Sequence, residues 1–229
     1  ATATTLSSNV AATAGGAIKA AGIINLFNAA GQPLPPLKPL IRLTASTLEA
    51  NACPGGSGGA VSASHAVVTI EASTMVGNAA ADGGAALLEG CDVVVNATTV
   101  AHSNATTRGG ALSLHGGTAL VTSCGFSSNA ANASTTSTAG VADGGEGGAL
   151  LFNRTISARV EHSNLTANAA AYGGAIAAVA APDVSVENCV LSANAASEGA
   201  AIYATASAVS VMASSLASNV ATDGGGGVC

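Results

Sequence analysis

What this chain lacks narrows it first. It has no tryptophan, and tyrosine and phenylalanine make up 2% of its 229 residues, so a core built around large rings is excluded. Charged residues are 8%, only six of them lysine or arginine, and the net charge is −6. That balance excludes a basic nucleic-acid surface and a polybasic patch for anionic membranes. No apolar run approaches the roughly 18–20 residues that span a bilayer, so no direct membrane insertion is expected. Nor does a signal peptide stand at the start. Ala1-Thr-Ala-Thr-Thr5 begins in mid-phrase and Gly227-Val-Cys229 stops just inside a repeat, which reads as a piece of a longer protein. The five cysteines, Cys53, Cys91, Cys124, Cys189 and Cys229, form no CxxC and no metal spacing. His65, His102, His115 and His162 share no ligand spacing either, so neither a metal nor a cofactor is expected.

Alanine, glycine, serine and threonine fill the chain instead, and they are organised. A phrase of apolar residue, two residues, Asn, then Gly-Gly-Ala-apolar recurs about every 25–26 residues. Its first half reads Leu6-Ser-Ser-Asn9, Leu48-Glu-Ala-Asn51, Met75-Val-Gly-Asn78, Phe126-Ser-Ser-Asn129, Leu165-Thr-Ala-Asn168, Leu191-Ser-Ala-Asn194 and Leu216-Ala-Ser-Asn219. A one-residue-longer version from Val100 to Asn104 fills the remaining place. The second half follows at Gly15-Gly16, Gly58-Gly59, Gly83-Gly84, Gly109-Gly110, Gly147-Gly148 and Gly173-Gly174, with degenerate copies at Gly199-Ala200 and Gly224-Gly225.

The eighth residue before the Asn is Leu43, Ile70, Val121, Val160, Val186 or Val211, and the tenth is Ile41, Val68, Val184 or Val209. Two-residue alternation marks a strand with one buried face. Short strands, glycine turns and this period predict an all-β fold: a right-handed parallel β-helix of about eight coils, with three strands per coil, as one domain over 1–229. A helical solenoid is excluded, because its 3.6-residue periodicity and longer repeat are absent.

Stacking places equivalent residues above one another. The expected amide ladder is Asn9, Asn51, Asn78, Asn104, Asn129, Asn168, Asn194 and Asn219, structural rather than functional. Asp82, Asp143 and Asp223, each before a glycine, fit turn chemistry. Cys124 and Cys189 hold the same repeat position with one coil between them. At about 4.8 Å per coil their Cα atoms would lie near 10 Å apart, too far for a disulfide. Two interruptions, about 23–40 with Gln32-Pro-Leu-Pro-Pro-Leu-Lys-Pro39 and about 130–146, are expected to leave the stack as protruding loops.

The paired F-x-x-N and G-G-A-[ILV] motifs resemble those of the polymorphic outer-membrane protein repeat family. Phe126-Ser-Ser-Asn129 and Gly147-Gly-Ala-Leu150 match both halves literally. The resemblance implies an extracellular or cell-surface β-helix with a structural or adhesive role, no catalytic motif and no cofactor. Implied partners are other subunits or repeats of an extracellular assembly, or cell-surface glycan. Sequons at Asn132, Asn96, Asn153, Asn164 and Asn104 are the candidate glycosylation sites. Two alternatives remain: a glycan- or protein-binding module using the loops, and a polysaccharide-degrading β-helix enzyme. The enzyme needs clustered acids. The nearest approach is Glu89-Gly-Cys91-Asp92 with His115 one coil away, while Tyr172 and Tyr203 read as isolated aromatics, so a non-enzymatic role is expected.

Overall fold

The computed structural model describes residues 3–21, 37–132 and 145–229. They form a parallel β-solenoid of about seven turns with no helix, and so none long and apolar enough to cross a membrane. One turn illustrates the rest. Thr74–Val76 lies on a first face, Ala79–Asp82 on a second, Ala86–Glu89 on a third and Asp92–Asn96 on a fourth. The first face is an eight-stranded parallel sheet and the third and fourth are seven-stranded. The second is short, split into sheets of four and two strands. A coil therefore has four strand segments, where the alternation pattern predicts three. The extra strand is two to six residues long, too short to show a period.

Each coil turns its corners on left-handed residues. Around Asp92–Asn96 these are Gly83, Gly90, Ala97 and His102, with φ between 48° and 65°. Three of the four corners accept side chains, for example Ala97, His102 and Arg154. The corner before the third face does not: Gly15, Gly58, Gly83, Gly109, Gly147, Gly173 and Gly199 hold it in every described coil. A Cβ there would strike backbone three or four residues ahead, such as the Leu112 carbonyl oxygen beyond Gly109 at 2.9 Å. The second glycine answers a different constraint, since a Cβ on Gly84 would collide with the Gly110 carbonyl of the next coil.

Inward side chains form one continuous column of apolar contacts. Leu48, Met75, Val100, Phe126, Leu165 and Leu191 line the first face; Val61, Leu88, Leu114 and Phe152 the third; Ile70, Val95, Val121 and Val160 the fourth. Small residues such as Ala60, Ala85, Ala111, Ala149 and Ala175 are fully buried at the tight corner. Abundant alanine is thus explained by a narrow coil section rather than by disorder.

Residues at the edges of both expected interruptions belong to the stack. Leu40 already begins a fourth-face strand, Leu40–Thr44, and residues 22–36 of the first insertion lie outside the described residues. Ala130–Ala131 is a second-face strand, and Glu146 pairs in register with Arg108 and Tyr172. Only 133–144 of the second insertion, including Asp143, lies outside the described residues.

Candidate functional site

The recurring asparagines are occupied with one another. Asn51 donates its backbone N–H and its Nδ2 to Asn78 Oδ1 at 3.0 and 3.1 Å, and Asn9 donates likewise to Asn51. The same double contact links Asn129 to Asn168, Asn168 to Asn194, and Asn194 to Asn219. From Asn51 onward each Nδ2 also donates to a carbonyl of the preceding coil, Leu48 for Asn78 and Phe126 for Asn168. Asn104 does not belong to this ladder. It is exposed at the start of the strand Asn104–Arg108, and Ser103, 1% exposed, holds the column position. Backbone register decides this: Asn104 pairs with Ala79 and Ala130, so the residue before it aligns with Asn78 and Asn129.

A second ladder is invisible as a motif because its letters change. Ser46, Ser73, Thr98, Cys124, Ser163, Cys189 and Ser214 all hydrogen-bond the carbonyl two residues earlier. Backbone N–H groups of the preceding coil donate to them, Ser46 to Ser73 Oγ and Cys124 to Ser163 Oγ. Cys124 and Cys189 are therefore thiol members of a hydroxyl column. Burial pushes both thiols, and that of Cys91, above the ordinary cysteine value. Cys53 is also buried, and Cys229 alone is exposed.

Among the sequons, Asn104, Asn132 and Asn164 are exposed. Asn96 and Asn153 are half-buried, and their hydroxyl partners Thr98 and Thr155 are buried. Asn153 Nδ2 also lies 3.4 Å from His115 Nδ1.

Glu89 and His115 are register neighbours on the third face, but Cys91 and Asp92 do not join them. Cys91 is buried and bonded to the Glu89 carbonyl, while Asp92 faces away, paired with Lys38 at 2.7 Å and accepting from Thr118. The Lys38 contact holds the Asp92 carboxyl below its ordinary value. His115 turns instead to Asp82, 3.7 Å from Nε2 to Oδ2, and to Ser113 Oγ at 2.9 Å. Asp82, expected as a turn residue, is a member of a surface row. Ser57, Asp82, Arg108, Glu146, Tyr172 and Glu198 stack in register, each just before a corner glycine.

Within this row Arg108 bonds Asp82 at 3.3 Å. Asp82 Oδ1 is buried and has no partner. Burial raises the Glu146 carboxyl despite the Arg108 charge, and Asp82 raises it further. Burial lowers His115, against the attraction of Asp82. Tyr172 meets Tyr203 at a centroid distance of 5.0 Å, so the two tyrosines that read as isolated are partners. The floor beneath is covered: Ser113, Leu151 and Ala177, one register row on the third face, are each 0% exposed.

Ser113, His115 and Asp82 are the three residue types of a hydrolase triad, and their geometry is wrong for one. Serine and aspartate address the same nitrogen, Nε2, whereas nucleophile activation needs them on opposite nitrogens. The other ring nitrogen, Nδ1, faces the Asn153 side chain at 3.4 Å and no carboxylate. Ser113 is also inaccessible to a substrate. No group of three or more potential metal ligands occurs among the described residues. What the row offers is a line of hydrogen-bonding and aromatic groups on a rigid support.

Compared with known protein families, curated proteins and solved structures, the chain matches none.

Proposed function

We propose that this chain is a non-catalytic segment of an extracellular surface protein or appendage, structural or adhesive in role, of the kind the paired F-x-x-N and G-G-A-[ILV] motifs suggest. One observation carries the reading. The side chains that recur most faithfully, the asparagine and hydroxyl ladders, are spent on joining coil to coil. Repetition here serves construction, and a stack with three long sheet faces suits a spacer that displays surface. The exposed Asn104, Asn132 and Asn164 sequons agree with a secretory route.

Antibodies raised against the purified chain test the location directly. Labelling of intact, unpermeabilised source cells or their shed material is expected, and signal confined to the cell interior would overturn the proposal. The enzyme alternative is tested by assaying release of reducing ends or unsaturated products from a polysaccharide panel. Turnover abolished by Asp82→Asn or Glu146→Gln would replace the structural reading with a catalytic one.

A further inference from the structure

We infer that the row from Asp82 to Glu198 is a binding rail for a saccharide chain lacking acidic substituents, laid along the solenoid axis. The inference rests on the adhesive side of the proposed function and gives it a ligand class. The aromatic content is the first argument. Besides its two tyrosines the chain has three phenylalanines, and the described ones, Phe126 and Phe152, are 0% exposed. All aromatic surface among the described residues is therefore concentrated where Tyr172 and Tyr203 meet, both half-exposed. Rings presenting an apolar face with a polar edge are what a sugar's C–H face and hydroxyls require together.

Register supplies the second argument. Glu146, Tyr172 and Glu198 occupy consecutive coils in one column, with Arg108 and Asp82 continuing it. Five such positions at about 4.8 Å per coil span roughly 19 Å, a length suited to several linked sugar units rather than one compact molecule. Carboxylates and a guanidinium bind vicinal hydroxyls through paired hydrogen bonds.

Charge makes the third. Asp82, Glu146 and Glu198 face Arg108 alone in the column, so the rail is net acidic and repels polyanions. Neutral and amino sugars fit that field, whereas pectin-like uronates do not. Support is rigid as well. The Gly-Gly corner lies directly over the floor row, with a Cβ on Gly109 only 2.6 Å from Ser113 Cβ. A ligand therefore meets a preformed surface and little ordering opposes binding.

The composition provides its own reporter. With no tryptophan and only Tyr172 and Tyr203, the protein's tyrosine emission arises wholly at this site. Cellohexaose, mannohexaose, chitosan hexamer and hexagalacturonate would be titrated against the whole chain while tyrosine fluorescence is followed, with calorimetry in parallel. A saturable change with at least one of the first three is expected, with hexagalacturonate at least tenfold weaker. Tyr172→Ala and Tyr203→Ala should each weaken binding about tenfold by calorimetry, and Tyr172→Phe should largely preserve it. Unchanged circular dichroism would show that the variants fold. Silence across the panel, preference for the uronate, or binding indifferent to both tyrosines would overturn the rail. Should surface labelling persist in that event, the structural proposal stands without it.

Discussion

An asparagine side chain both donates and accepts, and in this stack it does so along one direction. Asn168 takes two bonds from Asn129 on its Oδ1 and gives two to Asn194 Oδ1 and one to the Phe126 carbonyl. Replacing it by alanine strands several buried groups at once. At roughly 1–3 kcal/mol per unsatisfied group, Asn168→Ala is expected to lose at least 3 kcal/mol in denaturant unfolding, while Asn132→Ala, at an exposed residue, changes nothing measurable. Ser103 offers the converse case. It accepts no bond from Asn78, although its own N–H donates to Asn129 Oδ1 at 3.0 Å. Ser103→Asn should complete the column and add about 1 kcal/mol, read as a higher melting temperature; a lower one would show that the column has no room there. The asparagine column was largely legible in the sequence because identity and spacing repeat together. It misleads at Asn104, where the letter stands one residue past the position that backbone register assigns to the column. The left-handed residue before the column, His102, is homologous to Ala50, Gly77 and Ser128, and it fixes the register. The hydroxyl ladder was illegible for the opposite reason. Serine, threonine and cysteine perform one task under three letters.

Elements here are strands joined by corners, and the corners differ in what they tolerate. Three accept a Cβ in the left-handed region at modest strain, while the Gly-Gly corner leaves no room for one in the coils that carry both glycines, Ala200 being the one described replacement. This explains why Gly-Gly was readable and the other turns were not. Gly84→Ala should therefore be far more damaging than Gly77→Ala. Gly84 lies against the Gly110 carbonyl and Asn104 backbone, but a Cβ at Gly77 meets nothing within 4 Å. Gly77→Ala pays only for its φ of 65°, about 1 kcal/mol, whereas Gly84→Ala must move a strand. Urea midpoints of the two variants would check the ordering. The polar row was hidden at this same scale. Its members are unlike residue types, and the insertion at 133–144 breaks the count between Arg108 and Glu146, so only paired strands bring them into line.

For the whole molecule the row leaves a signature in the pH dependence of stability. Burial raises Glu146 in the folded state, so the folded chain binds its proton more tightly than the unfolded one. That contribution is complete below the unfolded value near pH 4.5 and is lost as pH rises through the folded value. His115 is depressed, so its contribution is present above the unfolded value near pH 6.5 and lost as pH falls through the folded one. Glu146→Gln should raise the melting temperature at pH 7, with the gain vanishing below pH 4.5, as thermal scans across pH would record. A buried carboxyl whose ionisation opposes folding is a group that structure alone does not require.

The missing step at Ser103 has a consequence for how the stack comes apart. In a one-dimensional array each coil is held only by its neighbours, so cooperativity passes along the axis as through links of a chain. The link between the coils of Asn78 and Ser103 lacks the paired amide contact that Asn9–Asn51–Asn78 and Asn129–Asn168–Asn194–Asn219 possess. Native-state amide exchange is expected to resolve two blocks with different opening free energies, divided there. The solenoid would then breathe as two stiff segments meeting at a seam rather than as one uniform rod.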